Sequence, residues 1–259
     1  MRADVYLVQN RYTDSRTCAA RLISEGKVLI DGRTVAKASE DISDSEHDVR
    51  ITEQDRYVGR GGLKLEAALE QFGIDVRGKR CIDVGASTGG FTDCLLQNGA
   101  ASVYAVDSGR DQLHPKLRAD GRVINIEGFN AREMSKEDFG VFDIAVMDVS
   151  FISQTLIHPA LSLVLTDGAI YVSLIKPQFE SGRGALGKNG IVKDPKDREN
   201  AILRVLESAY LNGFEAKALI RSPIEGGDGN REFLACFVKK GESARKYNID
   251  ENYIKKISR

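Results

Sequence analysis

The stretch CIDVGASTGGFTDCLLQNGA, residues 81 to 100, constrains the fold more than any other part of the sequence. An apolar run that stops at a loop of small residues and continues with helical periodicity is typical of a strand, a tight turn and a helix. Such units repeat from residue 57 onward. We expect strands at 80–84, 103–107, 123–126, 142–148, 169–175, 216–221 and 232–238, and helices near 90–98, 154–164 and 197–212. Strands that alternate with helices predict an α/β fold with a doubly wound, mainly parallel sheet.

The last two predicted strands are joined by SPIEGGDGNR, which is too short for a helical crossover. They should therefore pair antiparallel. An antiparallel last strand begins at the edge where the parallel strands end. Open α/β sheets bind their ligands at that edge, so residues at the start of this strand can join a site there.

The first 40 residues have a different pattern, which predicts a small α+β module. DVYLVQN has helical spacing with Asp4 as a candidate N-cap, and Ser15 can cap a second helix that Gly26 ends. KVLIDGRTV contains two β runs around Asp31-Gly32, which is a strong hairpin signal. The acidic stretch EDISDSEHDVR is typical of a connector, with one short strand at DVRIT.

These patterns predict four regions: residues 1–56 form the small domain and connector, 57–62 a glycine-rich hinge, 63–240 the α/β domain, and 241–259 a tail. With 259 residues, of which 42% are hydrophobic and 29% charged, the composition is that of a soluble globular protein. The sequence contains no apolar run of 18 residues, and charges interrupt its N-terminus too early for a secretory signal. We therefore expect no stable association with membranes.

Cysteine and histidine usage bounds the compartment and the metal chemistry. The four cysteines are far apart and form no CxxC pair, as expected of thiols in the reducing cytoplasm. The three histidines do not cluster, so we expect no metal site.

The turn after residue 84 has three candidate roles: a nucleotide-cofactor loop, a hydrolase nucleophile at Ser87, or a turn that binds nothing. GASTG matches the hydrolase signature G-x-S-x-G, but no histidine follows His158 to act as the late base. The dinucleotide signature G-x-G-x-x-G fails because Ser87 stands between Gly85 and Gly90, where a pyrophosphate needs glycine. No Gly-Lys-Ser/Thr follows, so a P-loop is also disfavoured. A nucleoside cofactor without pyrophosphate and a purely structural turn remain.

S-adenosylmethionine is a cofactor that satisfies this condition. Asp107 ends the second strand 22 residues after Gly85, the interval expected of a carboxylate that binds a ribose diol. Glu127 and Asn130 are candidates to bracket the adenine. The predicted cofactor-binding residues are Asp83, Gly85, Ala86, Ser87, Gly89, Gly90, Phe91, Asp107, Asn130 and Asp148.

Four charged residues fall where the predicted topology brings them to one edge. Asp148 and Lys176 each follow an apolar strand, and Glu232 opens the antiparallel strand at the same edge. Lys64 lies on the helix before the first strand. A single charge at a strand end is usually solvated, but a group that converges by topology indicates a reaction centre.

Several motifs together resemble a known family. GRGGLKLEAAL, CIDVGASTGGFTDCLLQNGA, VYAVDSGRDQL, MDVSFIS, LIKPQFE and GNREFL are similar to the TlyA family of ribosomal RNA 2′-O-methyltransferases, relatives of the heat-shock ribose methyltransferase FtsJ. Residues 2 to 39 resemble the small RNA-binding domain first seen in a ribosomal small-subunit protein. The resemblance implies a Rossmann-like methyltransferase sheet, S-adenosylmethionine as cofactor, ribosomal RNA or a ribosomal subunit as partner, and a cytoplasmic location. It also implies that the catalytic tetrad is Lys64, Asp148, Lys176 and Glu232.

The resemblance suggests a role for each of these residues. Lys176 would stabilise the developing ribose alkoxide or take the hydroxyl proton, with Asp148 and Glu232 orienting it. Lys64 would hold the ribose or an adjacent phosphate. Because family members have also been named haemolysins, a membrane-active protein is one alternative, and a non-catalytic RNA-binding protein is another.

From charge alone, the basic residues in the N-terminal module are explained more simply by a solvated helix face, and the alternative is a patch that contacts RNA phosphates. The predicted RNA-binding residues are Arg2, Arg11, Arg16, Arg21, Lys27, Arg33, Lys37, Arg60 and Arg183. Arg183 belongs to the loop ESGRGALGKNGIVKDPKDREN, which begins just after Lys176. We expect this loop to be a mobile lid or an RNA contact rather than an ordinary surface loop.

Overall fold

A computed structural model describes residues 1–13, 15–52, 56–187, 189–226, 229–246 and 249–259. The chain divides into two compact units, Met1–Asp55 and Arg56–Arg259.

The described part of the N-terminal unit contains two helices and a three-stranded antiparallel sheet in the order β2-β1-β3. Its elements are α1 (Ala3–Gln9), α2 (Arg16–Ser24), β1 (Val28–Ile30), β2 (Arg33–Thr34) and β3 (Val49–Ile51). The predicted hairpin is confirmed, because β1 and β2 flank Asp31 and Gly32, whose positive φ angles of 51° and 77° suit a primed turn. Leu7, Leu22 and Val28 belong to its buried core.

The caps of the two N-terminal helices differ from each other. Ser15 caps α2 as predicted, since its side chain accepts a hydrogen bond from the N–H of Cys18. Asp4 does not cap α1, because the helix begins at Ala3 with Arg2 in the N-cap position, which places Asp4 in the first turn. The Asp4 carboxylate instead lies 2.9 Å from Arg2 and 3.1 Å from Arg16. The Arg2 hydrogen bond lowers the pKa of Asp4 to about 2.

The C-terminal unit is an α/β domain. Its described elements are α3 (Gly61–Phe72), β4 (Arg80–Val84), α4 (Gly90–Gln97), β5 (Ser102–Asp107), α5 (Pro115–Arg118), β6 (Val123–Glu127), α6 (Lys136–Phe139), β7 (Phe142–Met147), α7 (His158–Leu163), β8 (Leu165–Ile175), α8 (Pro177–Glu180), α9 (Pro195–Leu211), β9 (Phe214–Arg221), β10 (Phe233–Lys239) and α10 (Glu251–Ile257). Short 3₁₀ helices lie at Ala131–Glu133, Gln154–Leu156, Arg183–Ala185 and Gly241–Ser243.

Within the described part of this unit, seven strands form one sheet in the order β6-β5-β4-β7-β8-β10-β9. The strands from β6 to β8 pair in parallel, which confirms the predicted doubly wound sheet. The antiparallel pairing of β9 and β10 is also confirmed. β10 lies between β8 and β9 and runs antiparallel to both, with Phe233 opposite Ile175. The start of β10 is therefore at the edge where β8 ends.

Alternating residues of β4 contribute to separate apolar clusters. Ile82 belongs to the cluster that includes Leu206 of α9, whereas Cys81 belongs to the cluster that includes Leu65 of α3 and Leu95 of α4. Successive strand side chains point to opposite faces, so the helices cover both faces of the sheet.

Two segments differ from the predicted elements. The helix expected at 154–164 is a 3₁₀ turn followed by α7, because Pro159 lacks an N–H and its ring would clash with the carbonyl of Thr155 in a continuous helix. The tail, for which no element was predicted, contains α10, whose Ile254 is fully buried.

The glycines of the predicted hinge allow close packing within the C-terminal unit. A Cβ atom on Gly90 would lie 3.0 Å from the N of Gly62 and 3.1 Å from the O of Gly59. The start of α3 therefore packs directly on the start of α4. Hinge motion at 57–62 stays a prediction.

Candidate active site

A cavity of about 430 Å³ lies at the carboxyl ends of the parallel strands. Among the predicted cofactor residues, Gly85, Ser87, Asp107, Asn130 and Asp148 line it. A smaller pocket of about 190 Å³ adjoins it and shares Gly85, Ser87 and Asp148; its other linings include Ala86, Gly90, Phe91, Arg60 and Lys176. The two pockets share residues, so the ends of β4, β7 and β8 form one continuous site.

The turn after β4 is shaped by close backbone contacts. Gly85 has a φ of 85°, and a Cβ atom there would lie 2.6 Å from the carbonyl oxygen of Asp148. Only glycine fits such a position without displacing that backbone. Ser87 also has a positive φ, 49°, and its N–H donates to the Asp107 carboxylate at 2.8 Å. A serine is therefore accommodated at the middle position of the G-x-G-x-x-G spacing.

The Asp107 carboxylate is held in a fixed orientation at the end of β5. One oxygen accepts the N–H of Ser87, and the other accepts the N–H of Gly109 at 2.7 Å. Each carboxylate oxygen has a second lone pair. Asp107 can therefore accept hydrogen bonds from two neighbouring hydroxyl groups in the cavity.

Glu127, a candidate for adenine binding, does not line the cavity. Its carboxylate accepts the N–H groups of Asp111, Gln112 and Leu113 at 2.8–2.9 Å. The N–H of Leu113 is the main reason why the pKa of Glu127 is lowered to about 2. Glu127 thus fixes the segment after β5, and the wall of the cavity is built by other residues.

Asp83 lies one residue before the end of β4 and is fully buried. The hydroxyl of Thr92 donates to one of its oxygens at 2.7 Å, and the other oxygen has no hydrogen-bond partner among the described residues. Burial raises the pKa of Asp83 to about 7. Asp83 lines neither pocket, and neither does Gly89.

The four residues of the predicted tetrad form two ion pairs. Lys176, at the start of α8, lies 2.5 Å from the Oδ1 of Asp148 and donates to the Oγ of Ser150 at 2.8 Å. Lys64, on α3, lies 2.5 Å from the Oε2 of Glu232. Glu232 contacts Lys64 rather than Lys176, and its expected role in orienting Lys176 stays a prediction.

The two ion pairs differ in accessibility. Lys64 and Glu232 are only 8% and 2% exposed, which does not favour the expected contact between Lys64 and a phosphate. Lys176 and Asp148 are partly exposed and line the smaller pocket. The ammonium group that a substrate can reach is that of Lys176.

Sequence reasoning did not single out two residues of the MDVSFIS motif. Ser150 lines both pockets and contacts Lys176. Phe151 has a φ of 64°, its side chain is 93% exposed, and its ring centroid lies 5.2 Å from that of Phe179. Both residues directly follow an apolar run, so sequence patterns did not distinguish them from the strand. In particular, an exposed aromatic residue in this position has the same pattern as a buried one.

The predicted RNA-binding residues of the N-terminal unit are mostly ion-paired. Arg2 and Arg16 contact Asp4, Arg21 and Lys27 contact Glu25, and Arg33 contacts Glu40. Arg11 and Lys37 are exposed and make no ion pair with a described residue. The exposed Arg33 pair is weak, so Arg33 can exchange its carboxylate for a phosphate, whereas the Asp4 carboxylate that Arg2 and Arg16 contact is buried.

The other two predicted RNA-binding residues lie in the C-terminal unit. Arg60 is exposed and lines the smaller pocket. The side chain of Arg183 lies outside what the structure describes. The loop that carries it is anchored further on, where the N–H of Val192 donates to Asn230 at 3.0 Å.

The described residues contain no group of three or more histidine, cysteine or acidic side chains that could hold a metal ion. None of their helices is both long and apolar enough to cross a membrane.

Comparison with known proteins assigns both units. Residues 57–239 match the model for the FtsJ-like methyltransferases, and residues 1–48 match the S4 domain. The chain is 44% identical over 235 residues to the 16S/23S rRNA (cytidine-2′-O)-methyltransferase TlyA of Mycobacterium tuberculosis, covering 90% of this chain and 88% of the relative. It is also 44% identical over 240 residues to Hemolysin A of Brachyspira hyodysenteriae, covering 92% of this chain and all of the relative.

A solved structure shares the whole architecture. The "Putative hemolysin from Streptococcus thermophilus" superposes with a TM-score of 0.80 at 44% identity, covering 100% of this chain and 94% of that chain. The two family models and the relatives show that the chain belongs to the FtsJ-like methyltransferase family, in its TlyA group, with an N-terminal S4 domain.

Proposed function

We propose that this protein transfers a methyl group from S-adenosylmethionine to a ribose 2′-hydroxyl of ribosomal RNA. The observation that carries the proposal is the position of Lys176, held by Asp148 and Ser150 beside the larger cavity. The Mycobacterium tuberculosis relative is named as an rRNA (cytidine-2′-O)-methyltransferase, which is the same type of reaction.

The residues of the larger cavity fit S-adenosylmethionine. Its volume is within the range of small-ligand sites. Asp107 would hold the ribose diol, Asn130 would border the adenine, and the Gly85–Ser87 backbone would border the amino-acid end. When bound, S-adenosylmethionine supplies an electrophilic methyl group on a positively charged sulfur.

The chemistry required of the protein is activation of a weak nucleophile. A lysine ammonium has three N–H donors; the hydroxyl of Ser150 accepts one of those of Lys176, and the Asp148 carboxylate forms an ion pair with the ammonium. A remaining N–H is available to the 2′-oxygen and stabilises the negative charge that develops there as the hydroxyl proton leaves. Holding the hydroxyl in line with the methyl group supplies much of the remaining rate, since effective molarities of well-oriented groups reach about 10⁵–10⁸ M.

The pair formed by Lys64 and Glu232 has a supporting role in this proposal. It joins α3 to the start of β10, next to strand β8, which Lys176 follows. Breaking a buried ion pair by removing one partner typically costs about 3–5 kcal/mol. The pair would keep this edge of the sheet in place while Lys176 contacts the substrate.

The S4 domain would recruit ribosomal RNA or a ribosomal subunit in the cytoplasm. Arg11 and Lys37 would contact phosphates first, because neither contributes to an ion pair among the described residues. Arg60 would contact the RNA backbone beside the reaction centre, since it lines the smaller pocket.

Replacement of Lys176 tests the proposal. We expect Lys176→Ala to bind S-adenosylmethionine with nearly wild-type affinity by calorimetry, and to lose methyl transfer to ribosomal RNA by at least about 100-fold. Lys217→Ala is a matched control, because Lys217 is a surface lysine of β9 paired with Glu215.

Full methyl transfer by Lys176→Ala would refute the assignment of Lys176. Two other results would favour the alternative functions. RNA binding without any methylation by the wild-type protein would indicate a non-catalytic RNA-binding protein. Lysis of erythrocytes by the purified protein without cofactor would indicate a haemolysin.

A further inference from the structure

Lys176 and Asp148 belong to two different segments of the chain. Lys176 precedes α8, whereas Asp148 begins the segment of residues 148–153 between β7 and the next 3₁₀ helix. The 2.5 Å contact between the two side chains therefore depends on how the 148–153 segment is held against α8.

The 148–153 segment contains a strained residue. Phe151 has a φ of 64°, a conformation that costs a non-glycine residue about 1–3 kcal/mol and persists only where the surroundings impose it. The upstream end of the segment is fixed by the N–H of Asp148, which donates to the O of Val84 at 3.0 Å. A comparable anchor is required at the downstream end.

Glu180 provides that anchor. It lies on α8, one helical turn after Lys176, and is 2% exposed. Its carboxylate accepts the hydroxyl of Ser153 at 2.5 Å and the N–H of Gln154 at 2.9 Å. Its own carbonyl oxygen accepts a hydrogen bond from Arg204 of α9 at 2.8 Å. One residue thus links the downstream end of the segment to α8 and α9.

Burying a carboxylate has a high desolvation cost. No ion pair to Glu180 is found among the described residues, and burial raises its pKa. A buried charge costs more than an apolar side chain of similar size unless its hydrogen bonds are needed. The two acceptor oxygens, which reach neighbouring donors on one segment, explain why a carboxylate is used.

We propose that Glu180 is a positioning residue for methyl transfer: by holding Ser153 and Gln154 against α8, it sets the distance from Asp148 and Ser150 to the Nζ of Lys176. The inference rests on the proposed function of Lys176. It assigns to Glu180 no contact with substrate or cofactor.

The test compares Glu180→Ala, Glu180→Gln and Ser153→Ala in the full-length protein. We expect Glu180→Ala to lower kcat by about 10- to 100-fold while the Kd for S-adenosylmethionine changes less than about twofold, because a displacement near 1 Å has effects of that size. Glu180→Gln should retain most of kcat, since the amide oxygen can accept the N–H of Gln154 and the amide NH₂ can donate to Ser153. Ser153→Ala removes half of the anchor without leaving a buried cavity, so an intermediate kcat is expected.

Glu199→Ala is the matched control. Glu199 is also a buried glutamate, on α9, where it pairs with Lys196 at 3.0 Å. It should lose thermal stability without losing kcat. This control separates a general loss of folding stability from a change at Lys176.

Two results would overturn the inference. One is a wild-type kcat in both Ser153→Ala and Glu180→Ala. If Glu180→Ala does not fold, a wild-type kcat in Ser153→Ala alone overturns the inference. The other is a parallel loss of kcat, cofactor affinity and thermal stability, as a purely structural residue would give. If Lys176→Ala is inactive, either result leaves the proposed role of Lys176 intact, whereas an active Lys176→Ala would refute the role of Lys176 on which the inference rests.

Discussion

The ionisation of Asp83, which lies on β4 just before the turn to α4, depends strongly on folding. Burial raises its pKa from 3.8 to about 7 in the folded protein. The folded state therefore binds a proton more tightly than the unfolded state does. The resulting stabilisation is complete below about pH 4 and is lost as the pH rises through about 7.

We expect Asp83→Asn to remove this pH dependence. The free energy of unfolding of the wild type, relative to the variant, should fall by up to about 4 kcal/mol between pH 4 and pH 8. Urea titrations of both proteins across that range measure the difference. Parallel curves for the two proteins would show that Asp83 is ionised alike in both states.

Sequence predicts which site residues reach the edge of the sheet, but not which partner each one takes. Asp107, Asp148 and Lys176 were predictable because topology places strand ends at one edge. The pairing of Glu232 with Lys64 was not, since it depends on the depth of α3 and on the reach of two buried side chains. The structural role of Glu127 was also not predictable, since it depends on how the backbone of residues 111–113 folds toward its carboxylate.

At the scale of elements, the junction between β4 and α4 depends on Gly85. A side chain at this position is opposed both by its φ of 85° and by the carbonyl oxygen of Asp148. Gly78 separates these two effects. Its φ is 68°, but a Cβ atom there would meet nothing within 4 Å.

We expect Gly78→Ala to cost only the backbone term, about 1–2 kcal/mol. Gly85→Ala should add about 1–3 kcal/mol of overpacking and should lower methyl transfer, because it displaces the backbone of Asp148. Chemical unfolding and kcat, measured on both variants, test this. Equal stability and equal kcat in the two variants would contradict a steric role for the Gly85 contact.

Elements with strong periodicity were predictable, and the exceptions have local causes. The strands from β4 to β7 follow short apolar runs and were located from sequence. Periodicity alone predicted a continuous helix at 154–164, but Pro159 interrupts it. The position of β10 between β8 and β9 could not be predicted, because no local sequence pattern determines which strand a given strand pairs with.

At the scale of the whole molecule, the chain combines two compact units with separate apolar cores. We therefore expect residues 56–259 to fold alone and to bind S-adenosylmethionine with nearly full affinity. Their affinity for ribosomal RNA should fall by at least about tenfold, with a shallower salt dependence because fewer phosphates are neutralised. Calorimetry and RNA binding at several salt concentrations measure this, and unchanged RNA affinity would contradict the recruiting role of the S4 domain.

The central claim is that the protein methylates a ribose 2′-oxygen and that Lys176 activates this oxygen. Locating the transferred methyl group tests the claim most directly. Ribosomal RNA is incubated with S-adenosylmethionine and either the wild type or Lys176→Ala, and is then hydrolysed in alkali. Because the 2′-oxygen is the nucleophile in alkaline cleavage, we expect the wild type to yield an alkali-resistant dinucleotide carrying the methyl group, detected by mass spectrometry. We expect none with Lys176→Ala. A methyl group on a base, or an equal yield of the resistant dinucleotide with the variant, would contradict the claim.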